Sequence, residues 1–553
     1  MTKPRLGGRD RRATGPPAGS PPCVCVGSSI FGTNEAVLAG TACFLPSKIR
    51  MPANDPQTTP AGVSLTPAEV KSILSGLLLI MFLGSLDQTI VAPALPTIAR
   101  DLGSFDAVSW VVTAYLLSST AITPIVGKLS DLFGRRVVIA VSVAVFLVGS
   151  VLCALAPSML ALIVARGVQG LGGGGLIALS NTVIADIVSP RERGRYQGYI
   201  SGMFAVSGVA GPVTGGVFAQ YLNWTLIFWI NLPLGLLAIY LSDRALRRLP
   251  RREGTPSIDF LGSALLIAAT ICLLLALTWG GHRYAWSSLP IVGLLAASVI
   301  VGAIFLRHQR AVREPLLPLA LLANPVFRMT STMAVLVMMV NISIGIYVPL
   351  YLQLQRGESA SRSGLMLILP LLGIVVGALG SGHYMRKTGH YKRPPQIGLP
   401  VALLGLATIA LGVQSLPLVA IGLCLGLVGI GFGSAMPVMT VATQNAVAPR
   451  DIGIATAAHA FFRALGGMIG VAMFGALIVG LLVSGSDGGA SHELTDFLRP
   501  GRAPAGMEDH LRLAFGAFFG GSAVIAALAI VALGRLPELP LRQSSGNEAT
   551  AIE

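Results

Sequence analysis

Asp87 lies in the run LDQTIVAPALP, sixteen residues beyond Lys71, and Arg166 opens the run RGVQGLGGGG. At about 1.5 Å per helical residue, that spacing puts Asp87 at or past the middle of a bilayer. Counting from Pro157 puts Arg166 in the outer half of its own helix, at a similar depth. Insertion scales charge a central Asp about 2.5–3.5 kcal/mol, so an acid held there faces water or a partner and is functional by default. Its chemistry would be proton carriage, with a helix-packing or gate hydrogen bond as the alternative. A guanidinium across from it would keep the carboxylate charged until a substrate or a conformational change parts them, and Gln169, one turn on, offers a neutral partner. The alternative for Arg166 is a structural arginine bonded to backbone carbonyls.

These residues need elements that cross a membrane. The chain is 53% hydrophobic and only 11% charged over 553 residues, against about a quarter charged in soluble proteins. Apolar runs long enough to cross a core of about 30 Å recur along it. They are continuous and rich in Leu, Ala and Gly rather than alternating, so they read as helices and not as barrel strands. About fourteen spans are expected between residues 74 and 534, among them 226–242, 259–279 and 289–306. The expected fold class is an all-α polytopic membrane protein.

Alternate loops differ in charge. Most of the 39 Lys and Arg residues fall on one side, which the positive-inside rule makes the cytoplasm and which places both termini there. The net charge of +15 is thus spread over short inner loops facing anionic headgroups, which argues for membrane lipids and against nucleic acid as partners. The scattered cysteines have no metal or redox spacing, no phosphate-binding Gly-x-x-x-x-Gly-Lys-Ser/Thr loop is present, and no catalytic cluster or sizeable soluble domain appears. An enzyme or an ATP-driven pump is therefore not expected; no cofactor or metal is required.

The loop GKLSDLFGRR, Gly127 to Arg136, is a charged hinge between two spans. Asp131 near a helix start and Arg135 and Arg136 beside it could latch the inner face shut, or simply set topology. In the fifth span, Gly208, Gly211, Gly215 and Gly216 surround Pro212, giving small faces around a kink. Gly170 to Gly175 would let helices approach closely. Candidates for lining an apolar substrate cavity are Gln169, Trp110, Tyr115 and Tyr347, with interfacial anchoring the alternative for the aromatics. His459 and Arg463, one turn apart in AAHAFFRALGG, join them; a core histidine is the alternative for His459.

At this point the residues carry a family resemblance. Gly127, Asp131, Gly134, Arg135 and Arg136 resemble the inner-loop signature of the major facilitator superfamily, and Arg166, Gln169, Gly170 and Gly172 resemble its fourth-span motif. Gly211, Pro212, Gly215 and Gly216 are similar to its antiporter motif, while Asp87 with Pro93 and Pro96, and the stretch Asn223 to Gly235, look like its fourteen-span drug:proton antiporters. The resemblance implies two six-helix bundles, 73–243 and 329–534, with two inserted helices within 244–328. It implies a multi-pass plasma (inner) membrane protein that works as a monomer on small-molecule substrates and protons, driven by the proton gradient. Residues 1–72 are expected to be a disordered cytoplasmic extension, with Met51 an alternative start, and 535–553 a cytoplasmic tail. In the second half GHYMRKTGHYK keeps Gly382 and Gly389 but puts Arg386 where the acid belongs, so a weaker second latch is expected. The function expected is export of hydrophobic or amphiphilic drug-like compounds by proton antiport; the alternative is proton-coupled export or facilitation of one endogenous metabolite.

Overall fold

The computed structural model describes residues 67–103, 107–247, 259–281, 284–312, 315–483 and 508–541. Most of the expected N-terminal extension with Met51, most of the loop around 483–511 and the end of the tail lie outside these residues. The long helices are α1 (Pro67–Ile90), α2 (Ser109–Phe133), α3 (Arg135–Ala154), α4 (Met159–Ile187), α5 (Pro190–Tyr221) and α6 (Asn231–Leu246). There follow α7 (Phe260–Trp279), α8 (Leu289–Ala311), α9 (Pro325–Leu354), α10 (Ile368–Thr388), α11 (Arg393–Leu411), α12 (Leu418–Asn445), α13 (Ile452–Val483) and α14 (Glu508–Gly534). Among the described residues, thirteen helices are long and apolar enough to cross a membrane. The expected span at 226–242 is the fourteenth: a single turn, Leu226–Trp229, leads into α6, and the apolar stretch Leu226–Ser242 is shorter than the others.

Helix ends follow local chemistry. Asn324 accepts from the amides of Val326 and Phe327, and with Pro325 in the first turn it starts α9 four residues ahead of the boundary expected at 329. Pro67 likewise starts α1 inside the stretch assigned to the extension. Gly134 joins α2 to α3 with φ of +87°, a conformation that glycine adopts at little cost. Asp259 caps α7 through the Gly262 amide at 2.7 Å, and its carboxylate also accepts from Gln309 at 2.7 Å and pairs with His308 at 2.8 Å on α8. Burial pushes the Asp259 carboxyl up, but the hydrogen bonds from His308, Gly262 and Gln309 outweigh it and hold the group below the usual carboxylate range.

Helices α1 to α6 pack together, with α4 against both α2 and α3, and α1 against α5 and α6. In the second half α12 packs on α10 and α11, α9 on α13, and α14 on α9, α11 and α13. The two groups meet along α5–α10 and α2–α13, while the α7–α8 pair lies beside α2 and α13. The core of the second group is aromatic: Tyr351, Phe474, Phe515, Phe518 and Phe519 are fully buried around one another. The chain after α14 is not a free tail through Leu541. Tyr391 donates to the Pro537 carbonyl at 2.9 Å, the Leu539 amide donates back to its hydroxyl at 2.8 Å, and Leu536 and Leu541 are buried.

The glycines of α4 set the spacing that matters most. A side chain at Gly172 would meet the backbone of Ser142 and Phe146 on α3, and one at Gly170 or Gly173 would meet Tyr115 on α2. Gly167 faces open space. Gly172→Ala should therefore destabilise the purified protein by about 1–3 kcal/mol through overpacking, whereas Gly167→Ala should be neutral or stabilise by up to about 1 kcal/mol through helix propensity. Thermal unfolding of the two variants in detergent measures the difference.

Candidate functional site

The close approach of α4 to α2 and α3 brings Asp87 and Arg166 into direct contact. Both are buried, at 0% and 1% exposure, so neither faces an open cavity in this structure. Arg166 Nη1 donates to Asp87 Oδ2 at 2.7 Å and to Gln169 Oε1 at 2.7 Å, and its Nε donates to the Val111 carbonyl at 3.0 Å. The second carboxylate oxygen, Oδ1, accepts from Gln169 Nε2 at 2.9 Å and from Asn231 Nδ2 at 3.2 Å. Asn231 also donates to Ser150 Oγ at 2.9 Å, and Ser150 donates to the Phe228 carbonyl at 2.8 Å. The guanidinium carbon lies 4.3 Å from the centre of the Tyr115 ring, adding a cation–π contact. Five helices thus supply one dry, nearly satisfied network. Such a pair is worth little net stability while intact, but breaking it leaves a bare charge in a low-dielectric site.

Sequence reasoning placed Gln169 and Tyr115 in a substrate cavity; the network holds both instead. It missed Ser150 and Asn231, although a lone Asn opening the apolar run NLPLGLL is the kind of signal an intramembrane polar residue leaves.

A second site lies at the end of the molecule that carries Gly127 to Arg136. Asp131 Oδ2 accepts from the amide of Ile454, in the first turn of α13, at 2.9 Å. A carboxylate there meets both an unpaired helical amide and the positive end of the helix. Arg135 pairs with Asp131 and with Asp186 of α4, the latter at 2.8 Å, and donates to Ser130 Oγ at 2.6 Å; Arg136 is half-buried beside it. Gly127 lets α2 touch α13, because a side chain there would strike Ala457 and the Gly453 carbonyl. The other seam is closed by a residue that sequence reasoning did not single out. Arg191 of α5 donates to the carbonyls of Arg386 and Lys387, in the last turn of α10, at 2.8 and 3.1 Å, while Gly382 packs on the Gly194 carbonyl. A cation at a helix C-terminus thus stands in for the acid that the second-half loop lacks.

The remaining candidates scatter. Gly211 and Gly215 press α5 onto Thr89 and Ile90 of α1, Pro212 lies exposed between them within α5, and a side chain at Gly216 would meet no other described element. Trp110 packs edge-on against Trp279 of α7, with ring centres 5.9 Å apart. Tyr347 is shut inside the second bundle, donating to the Val471 carbonyl at 2.7 Å and stacking on Phe518. His459 is buried and Arg463 half-buried on α13. These side chains belong to three separate environments and do not line one surface, because the aromatics found partners in helix seams.

Two helical bundles joined at one end by polar contacts, with a charged pair sealed inside one of them, fit a membrane transporter. Comparison with known proteins gives the family. A family model described as Major Facilitator Superfamily matches residues 77–471, and the chain belongs to that superfamily. It is 36% identical over 432 residues to an uncharacterized MFS-type transporter of Mycobacterium tuberculosis, covering 77% of this chain and 63% of that protein, so the match spans less than two thirds of that relative. It is 35% identical over 409 residues to the multidrug transporter protein MdtP of Bacillus subtilis, covering 73% of this chain and 75% of that one. Among solved structures, the proton:xylose symporter XylE shares the fold with a TM-score of 0.58 at 16% identity, over 87% of this chain and 99% of that one.

Two outcomes follow from the geometry. Asp87→Leu should destabilise the protein by about 3–5 kcal/mol by stranding Arg166, and Asp87→Leu with Arg166→Met should be milder than the sum of the single changes; a thermal double-mutant cycle in detergent reads the coupling. Asp131→Asn and Arg191→Ala should each speed maleimide labelling of a thiol placed by Asn181→Cys in a cysteine-free background, since Asn181 is buried at that same closed end and its carbonyl is held by Gln444 of α12.

Proposed function

We propose that this transporter exports hydrophobic or amphiphilic compounds in exchange for protons, by alternating access. The observation that carries the reading is the complete enclosure of Asp87 with Arg166. A proton can reach the carboxylate only if the pair opens, so proton exchange is tied to helix movement and a passive leak is blocked. The names of relatives such as MdtP support the export of several drug-like compounds.

In the proposed cycle a proton arriving from outside neutralises Asp87 and removes most of its hold on Arg166. Asn231 Oδ1 has no partner among the described residues, and turning this amide over lets it accept the new Asp87 hydroxyl. Arg166 is then left to Gln169 and the Val111 carbonyl, which weakens the link between α1 and α4. The bundles rock, the contacts of Asp131 and Arg191 with opposing helix ends release, and the closed end opens toward the cytoplasm. Cargo binding there and loss of the proton restore the pair. The cycle needs no cofactor beyond the proton gradient and runs in a monomer of the plasma membrane with both termini cytoplasmic.

The test is proton-driven transport of a fluorescent cationic dye in everted vesicles, wild type against Asp87→Asn at matched expression. Transport by the wild type, reduced at least about tenfold in Asp87→Asn, supports the coupling role. Equal transport by both would make Asp87 structural and end the proposal.

A further inference from the structure

The second bundle carries a charge that has no counter-ion among the described residues. Thr456, His459, Arg463, Gly467 and Gly470 recur at helical spacing along one face of α13. That face looks into the bundle. Thr456 accepts from Gln444 of α12 at 3.2 Å, and Gly467 and Gly470 lie against Ile342 and Met339 of α9. The part of Arg463 that remains accessible therefore opens on the protein interior and not on lipid.

Among the described residues Arg463 has no ion pair and no side-chain hydrogen bond, and His459, only 4% exposed, has an Nδ1 with no partner. A third such group sits in register with them. Phe327 meets Phe462, Val335 lies against Gly466, and Met339 lies against Gly470. Ser331, midway between Phe327 and Val335 on the same face of α9, is therefore level with residues 462–466; its hydroxyl is buried and unpartnered. Three polar groups without partners in adjacent turns of one seam are not a packing solution, because each costs about 1–3 kcal/mol when left unmet. Among the described residues no acid pairs with Arg463. The one acid in the middle of a span, Asp87, is committed to Arg166, Gln169 and Asn231 in the other bundle.

We propose that Arg463, assisted by His459 and Ser331, docks an acidic group of the exported compound, so that the cargo is an amphiphile carrying a carboxylate or a similar oxyanion. A guanidinium fork matches two oxygens of such a group and an imidazole or hydroxyl meets a third contact. This rests on the export reading and names its cargo.

The test uses three probes with one fluorophore and three charges: pyrenebutyrate, pyrenebutanol and pyrenylbutyl-trimethylammonium. Their binding to the purified full-length chain is measured by microscale thermophoresis against empty micelles. The wild type should bind the acid at least about tenfold more tightly than the alcohol or the cation. Arg463→Gln should abolish that preference while still binding the alcohol, which also shows that the variant is folded. Arg463→Lys, which keeps the charge and loses the fork, should retain part of the preference. No preference for the acid in the wild type, or an unchanged preference in Arg463→Gln, overturns the proposal. Absence of proton-driven transport of pyrenebutyrate with the acid preference intact would count against the export reading alone.

Discussion

A carboxylate and a guanidinium 2.7 Å apart, both closed off from water, govern how the rest of the first bundle is built. Neither charge is tolerable alone at that depth. Bringing them together requires α4 to run close to α2 and α3, which is why glycine occupies positions 170, 172 and 173, where a Cβ would strike a neighbouring helix. The oxygens and amines that the pair does not use on itself must also be met. Gln169, Asn231, Ser150 and the Val111 and Phe228 carbonyls meet them, and those groups tie α2, α3, α6 and the turn before α6 to the same point. The network at that one point therefore joins five helices.

Closure at the far end rests on weaker forces. Asp131 at the start of α13 and Arg191 at the end of α10 each exploit the partial charge of a helix terminus. Contacts of this kind are worth about 0.3–1 kcal/mol at a surface and up to about 2 kcal/mol when partly buried. A few of them can hold two bundles together without locking them. The two latches are opposite in sign and act on opposite helix ends, so the second half did not need the acid its loop lost.

Much of this was legible in the residues. Long apolar runs gave the helices because length and hydropathy act locally. Asp87 and Arg166 announced themselves because ionised groups inside spans have few possible reasons. Gly127 and Gly134 were visible through spacing, and the structure adds why: one permits contact with Ala457 and the other adopts a positive φ. What stayed hidden depends on tertiary placement. Ser150 and Asn231 are ordinary residues until two other helices bring a carboxylate beside them. Arg191 looked like one more basic residue of an inner loop, and only the neighbouring α10 carbonyls distinguish it. Tyr115 and Tyr347, alike in sequence, went to a cation–π contact and to a core hydrogen bond, a choice made by their neighbours and not by their own chemistry.

The two bundles treat their intramembrane arginines in opposite ways, and the difference bears on how coupling could be divided between them. Arg166 is met by Asp87, Gln169 and the Val111 carbonyl, all supplied by the protein. Arg463 has no ion pair and no side-chain hydrogen bond among the described residues, which leaves it open to a partner of the kind proposed for the cargo. A proton at Asp87 would break one charge balance and an anion at Arg463 would restore another, in different halves joined chiefly along the α2–α13 and α5–α10 seams. Occupation of one half is then felt by the other through the movement of those seams. No direct contact between proton site and cargo is needed, and a cargo need not be cationic to be exchanged for a proton.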